Sequence, residues 1–143
     1  MNLPHLVAKI ARFARWCWTV RLVTSGMHPE GTILDAELVK LSLVAAQTKA
    51  GYFNQILTTV NDHAVHLSVM DSPFFWHFHP DSDEVFIVLE GVLLVELETA
   101  RYELKPGEML TVPAGVRHRT SPLTSRSVNL TVEKMNAQSV RVP

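Results

Sequence analysis

The sequence predicts an all-β domain, an antiparallel sandwich or barrel, behind an α-helical N-terminal extension. Two observations define the β part. From Asn54 onward, short β-rich runs follow one another: NQILTTV, HAVHLSVM, FFWHFH, EVFIVLE, VLLVELE, RYEL, EMLTVP, VRHRT and SVNLTVE. Turn formers separate them, among them Asn61-Asp62, Asp71-Ser72-Pro73, Pro80-Asp81, Glu90-Gly91, Lys105-Pro106-Gly107 and Pro113-Ala114-Gly115. A third observation defines the extension: before residue 50 apolar side chains recur at helical spacing instead.

The extension is expected to span residues 1–50, the β domain 51–134 and a mobile tail 135–143. In residues 3–20, Leu3, Leu6, Val7, Ile10, Phe13, Cys17 and Val20 form one stripe, with the basic residues largely off it. Such a helix could lie on a membrane surface, target an organelle, or pack on the barrel or a second subunit. It could also be a leader that precedes a true start at Met27. Thr24–Gly31 reads as a linker. A second helix is expected over 36–49, capped by Asp35 and ended by Gly51.

At 143 residues the chain suits one domain with a real core. Net charge is -1, so nothing draws the whole molecule to nucleic acid or anionic lipid. One helix before residue 30 is too little for a helix-turn-helix, and no basic stripe follows. No apolar run is long enough for a transmembrane helix. The single Cys17 precludes an intramolecular disulfide and suits a reducing compartment, so a cytoplasmic location is expected.

The chemistry is concentrated in WHFHPDSDEVFIVLEG, Trp76 to Gly91. Strand side chains alternate, so His77 and His79 point the same way. The turn PDSD then reverses the chain into a strand that opens with Glu84. A third imidazole, His118, lies three residues past the Pro113-Ala114-Gly115 turn. Three imidazoles and a carboxylate meeting at one point would suit a divalent transition metal: iron, manganese, nickel, copper or zinc. On a metal that accepts six ligands, two positions would stay open for water, dioxygen or a chelating molecule.

These residues resemble the cupin superfamily, whose first motif reads G-x5-H-x-H-x3–4-E-x6-G and whose second reads G-x5-P-x-G-x2-H-x3-N. Here His77, His79, Glu84 and Gly91 match the first, and Gly107, Pro113, Gly115 and His118 the second, with fifteen residues between the motifs. Asp71 replaces the first glycine and Pro122 the final asparagine, both at turn or edge positions. The resemblance covers roughly residues 50–134 and is nearest to short bacterial members described as sugar-phosphate-isomerase-like. It implies a double-stranded β-helix, or jelly-roll, barrel with a metal on His77, His79, Glu84 and His118.

Around that centre, His66 shares a face with Ala64, Ser68 and Met70 and is the candidate catalytic acid or base. The alternation of the histidines puts Phe75 inside, and Phe74, Trp76 and Phe78 outside. Three large outer aromatics need cover, from the second helix or a second subunit, so a homodimer is expected. Arg117 and Arg119 should face away from the metal toward surface acids, and His63 toward solvent. Two functions fit. One is a metal-dependent enzyme of oxygenase or isomerase type acting on a small oxygen-rich molecule. The other is a non-catalytic binder of a metal or small ligand. The sequence leaves substrate and metal open.

Overall fold

The computed structural model describes residues 21–27, 33–48 and 51–143. The helix expected over 3–20 lies outside these residues. Within the described part, β1 (Arg21–Met27) and β2 (Ile33–Val39) form a two-stranded sheet of their own. The second expected helix is therefore much shorter than 36–49: its first residues belong to β2, and α1 covers only Leu41–Ala46. Pairing with β1 overrides a modest helix propensity there, and the N-cap of α1 is Lys40 rather than Asp35, a residue of β2.

The barrel follows in nearly the order expected. Its strands are β3 (Phe53–Val60), β4 (His63–Met70), β5 (His77–Phe78), β6 (Glu84–Glu90), β7 (Leu93–Leu97), β8 (Arg101–Leu104), β9 (Met109–Val112), β10 (His118–Pro122), β11 (Ser127–Lys134) and β12 (Val140–Arg141). They make two antiparallel five-stranded sheets, ordered β3-β4-β11-β6-β9 and β12-β5-β10-β7-β8. The tight β6–β7 hairpin needs Gly91, which has φ +72° and sits so close to the Arg126 carbonyl that a Cβ would collide with it.

Two cores result. Met70, Phe86, Val88, Leu93, Val95, Leu104 and Val112 fill the space between the sheets. Outside the first sheet, Leu57, Leu67, Val69 and Val128 are buried with Val44 and Ala45 of α1. Both faces of β4 are therefore covered, which is why Leu67 through Met70 are all buried. Leu67, Val69 and Met70 each contribute about 1.5–3 kcal/mol by leaving water.

Two expectations change. The segment after Asn136 is not a loose tail: Val140 and Arg141 pair with Phe78 and His77, and the Val142 N–H donates to the Trp76 carbonyl at 3.0 Å. The aromatic run is also out of phase. Residues 71–76 have no strand geometry, so alternation cannot be carried back from His77. Phe74 turns inward onto the core between the sheets, while Phe75 is 36% exposed beneath the Arg141 guanidinium. α1 lies on the other sheet, so it does not cover Trp76, over which Arg119 stacks.

Candidate metal centre

His77 begins β5 and is the cross-strand partner of His118, which begins β10. His79 follows β5 on the same side, and Glu84 begins β6. All four side chains are buried, and one potential ligand atom from each lies within 4.8 Å of the others. The structure thus brings together the whole set that the sequence selects.

The hydrogen bonds around the rings decide which atoms face the centre. His77 Nδ1 lies 3.0 Å from the Phe75 carbonyl, His118 Nδ1 2.9 Å from that of Val116, and His79 Nδ1 2.9 Å from that of Gln138. A carbonyl only accepts, so each Nδ1 carries the proton and donates it. Each Nε2 is then the atom left to face the cluster, the arrangement in which metal-binding histidines are usually held.

Glu84 Oε2 receives the rings, 3.0 Å from His118 Nε2 and 3.2 Å from His79 Nε2. Burial alone would raise the Glu84 carboxyl. The nearby His118 and His79 rings outweigh it and hold the group down to about 2. Burial, reinforced by the neighbouring His118, depresses His77. His79 moves the other way: its burial penalty is outweighed by Glu84, and its buried Nε2 has no aligned hydrogen-bond partner among the described residues. Three imidazole rings, one ionised carboxylate and an orphaned buried nitrogen fit a divalent transition metal ion, whose binding would displace any proton from the Nε2 atoms.

The loop between His79 and Glu84 fastens this centre to distant chain. Asp81 Oδ1 accepts the Gln138 N–H at 3.0 Å, Ser82 Oγ accepts that of Lys134 at 2.9 Å, and Asp83 Oδ1 accepts that of Ala114 at 2.8 Å. The Gly115 N–H donates to the His79 carbonyl at 2.7 Å. Asp81 and Asp83, which read from sequence as ordinary turn residues, thus act as clamps.

The comparisons with known proteins agree with this architecture. A family model described as "Cupin domain" matches residues 58–132. The chain belongs to the cupin family. The curated "Uncharacterized protein YdbB" of Bacillus subtilis (strain 168) is 43% identical over 108 residues, covering 73% of this chain and 93% of that protein. Among solved structures, a cupin-2 domain containing protein from Shewanella frigidimarina superposes with a TM-score of 0.64 at 27% identity, over 68% of this chain and 94% of that one. Protein NMB1881 from Neisseria meningitidis gives a TM-score of 0.62 at 25% identity, over 68% and 99%.

Other residues singled out from the cupin sequence take different places. His66 faces inward, as its alternation suggests, with Nδ1 2.8 Å from Asn54 Oδ1 and Nε2 3.5 Å from Glu133 Oε1. It is not one of the four clustered groups, and burial lowers its basicity. Arg117 pairs with Glu98, and Arg119 with Glu96, on the outside. His63 pairs with Asp62 at the surface.

Sequence reasoning missed several groups near the centre. Glu133 lies 3.5 Å from His79 Nδ1, and burial beside Glu84 raises its carboxyl to about 6. Tyr52, Asn54, Asn129 and Thr131 line a small cavity together with His77 and Glu84. Burial raises the Tyr52 phenol, which therefore keeps its proton. The available signal was the alternation of Asn129, Thr131 and Glu133 against Val128, Leu130 and Val132. Only the two-sided burial of β11 shows that the polar set points inward.

Proposed function

We propose that this cupin holds a divalent transition metal ion, one of iron, manganese, nickel, copper or zinc, on His77, His79, Glu84 and His118. With it the protein would act on a small oxygen-rich molecule as an oxygenase or isomerase. The observation that carries the reading is the set of three Nδ1–H groups tied to backbone carbonyls, which leaves three Nε2 atoms beside an ionised carboxylate. Such an ion would supply Lewis-acid polarisation or dioxygen activation. The chain's own part is to fix the donors, exclude water and offer His66 as the acid–base group. His66 keeps its Nδ1 on Asn54, and its Nε2 faces Glu133.

Metal analysis of the purified protein, followed by oxygen uptake against catechols, flavonoids, thiols and keto acids, tests this reading. Uptake that disappears in His77→Ala supports the oxygenase, and substoichiometric metal in the wild type defeats the whole proposal. A second reading, a non-catalytic binder, is favoured by the cavity of only about 30 Å³ beside the centre. Tight ligand binding without turnover would establish it.

The cytoplasm is the proposed location, and no nucleic acid is proposed as a partner. Among the described residues, no helix is long and apolar enough to cross a membrane. A homodimer remains the proposed cover for Trp76 and Phe78. The inward turn of Phe74 reduces the face to be covered. A monomer mass independent of concentration in light scattering would remove the homodimer.

A further inference from the structure

The cavity beside the ligands is lined by Glu84 and His77 on one side, and its other side is uncharged with incomplete hydrogen bonds. Ser68, Asn129 and Thr131 line it and are 1%, 1% and 3% exposed. Asn129 Oδ1 and Thr131 Oγ1 are buried without a hydrogen-bond partner among the described residues. A buried polar atom normally has a partner, so two orphans on one cavity point to a ligand group.

The neighbouring bonds define what the cavity offers. His66 Nδ1 lies 2.8 Å from Asn54 Oδ1, and with the amide in this orientation the ring nitrogen donates. Asn54 Nδ2 then donates to Ser68 Oγ at 2.9 Å and to the Tyr52 hydroxyl at 3.2 Å. Both hydroxyl oxygens accept from Asn54, and the Ser68 O–H is turned to the Tyr52 oxygen, which leaves the Tyr52 O–H free to donate inward. The cavity therefore presents hydroxyl donors from Tyr52 and Thr131, and an acceptor from Asn129.

We propose that this cavity seats the hydroxymethyl or CHOH group of a small hydroxylated carbon compound whose neighbouring oxygens reach the metal. The inference rests on the metal-centre reading above and names its substrate class. A hydroxyl group both accepts and donates, so it satisfies both kinds of wall. A second carboxylate could not donate to Asn129 Oδ1 and would face the Glu84 carboxylate, which also lines the cavity. An ammonium group could not accept from the Tyr52 and Thr131 hydroxyls. Met70 and Phe86 form the apolar side, which suits the carbon that bears the hydroxyl. A volume of about 30 Å³ has room for a group of this size.

Lactate and glycerate provide the test, because both can chelate a metal as α-hydroxy acids and differ only by the added hydroxyl. Each enantiomer is titrated into protein loaded with cobalt(II), with metal content measured first and ligand binding read from the visible absorption. Glycerate is expected to bind wild type about tenfold more tightly than lactate. Thr131→Val and Asn129→Leu should each cut that ratio at least about threefold. Thr131→Val is nearly isosteric and removes an orphaned hydroxyl, so it should fold; its melting temperature checks this. Equal affinities in wild type, or a ratio that survives in Thr131→Val, overturns the inference. Failure to load cobalt overturns the metal centre instead, before any ligand is added.

Discussion

His77 and His118 are supported from within their own segments, and His79 from the far end of the chain. The first two give their Nδ1 protons to carbonyls two residues earlier, at Phe75 and Val116. His79 gives its proton to Gln138, 59 residues away. The local pair needs only its own backbone to keep its tautomer. The third ligand depends on β12 docking against β5 and on Asp81 gripping the Gln138 N–H. One centre thus contains two supports of unequal range, and the longer one can be cut without touching a ligand.

The largest effect should come from losing a locally supported ligand outright. His118→Ala removes a donor that is 1% exposed, along with the strongest partner of Glu84. Metal affinity should fall by more than about 100-fold, beyond the range seen when only an outer partner is lost. Competition against a chelator of known affinity measures it. Retention of stoichiometric, tight metal would show that His118 is no ligand.

Deleting residues 137–143 isolates the long-range support. All four ligands remain, but His79 loses the carbonyl that fixes its ring. Metal affinity should fall about 10–100-fold, the range for loss of such an outer partner. The metal-free protein should change little by comparison, because β12 is an edge strand of two residues and both cores lie elsewhere. Melting with and without metal separates the effects: the metal-dependent rise in melting temperature should shrink, and the metal-free midpoint should move by only a few degrees. An unchanged affinity would make the C-terminal segment mere decoration.

The same contrast explains what could be read in the sequence. His77 and His79 were legible as a pair because alternation acts over a few residues, and their grouping with Glu84 and His118 came from the resemblance to the cupin motifs. Gln138 was not, since nothing local distinguishes a carbonyl that will meet a ring 59 residues away. Strand alternation worked for His77 and His79 but misplaced Phe74 and Phe75, where strand geometry has not yet begun. The β runs from Asn54 to Lys134 emerged nearly as expected. The helix over 36–49 did not, because pairing of β2 with β1 is a non-local term that propensity ignores. Asn129 and Thr131 look like outward polar residues until β11 is seen to lie between β4 and β6 with its polar face inside the barrel.

Asp81 gives the finest test, since it touches neither a ligand ring nor the cavity. Its Oδ1 accepts the Gln138 N–H at 3.0 Å, and the carbonyl of that same Gln138 holds His79. Asp81→Ala leaves the segment paired through β12 but frees its turn beside the ring. One net hydrogen bond is worth about 0.5–1.5 kcal/mol, or about twofold to tenfold in metal affinity. Asp81→Asn keeps an acceptor oxygen and should recover most of the loss, whereas a purely electrostatic influence on the centre would not be rescued. In protein already lacking 137–143, Asp81→Ala should have almost no further effect, because both changes remove the same support. Additive losses in the double variant would mean that Asp81 acts on the metal centre by some route other than Gln138, and the long-range arm of the comparison would have to be redrawn.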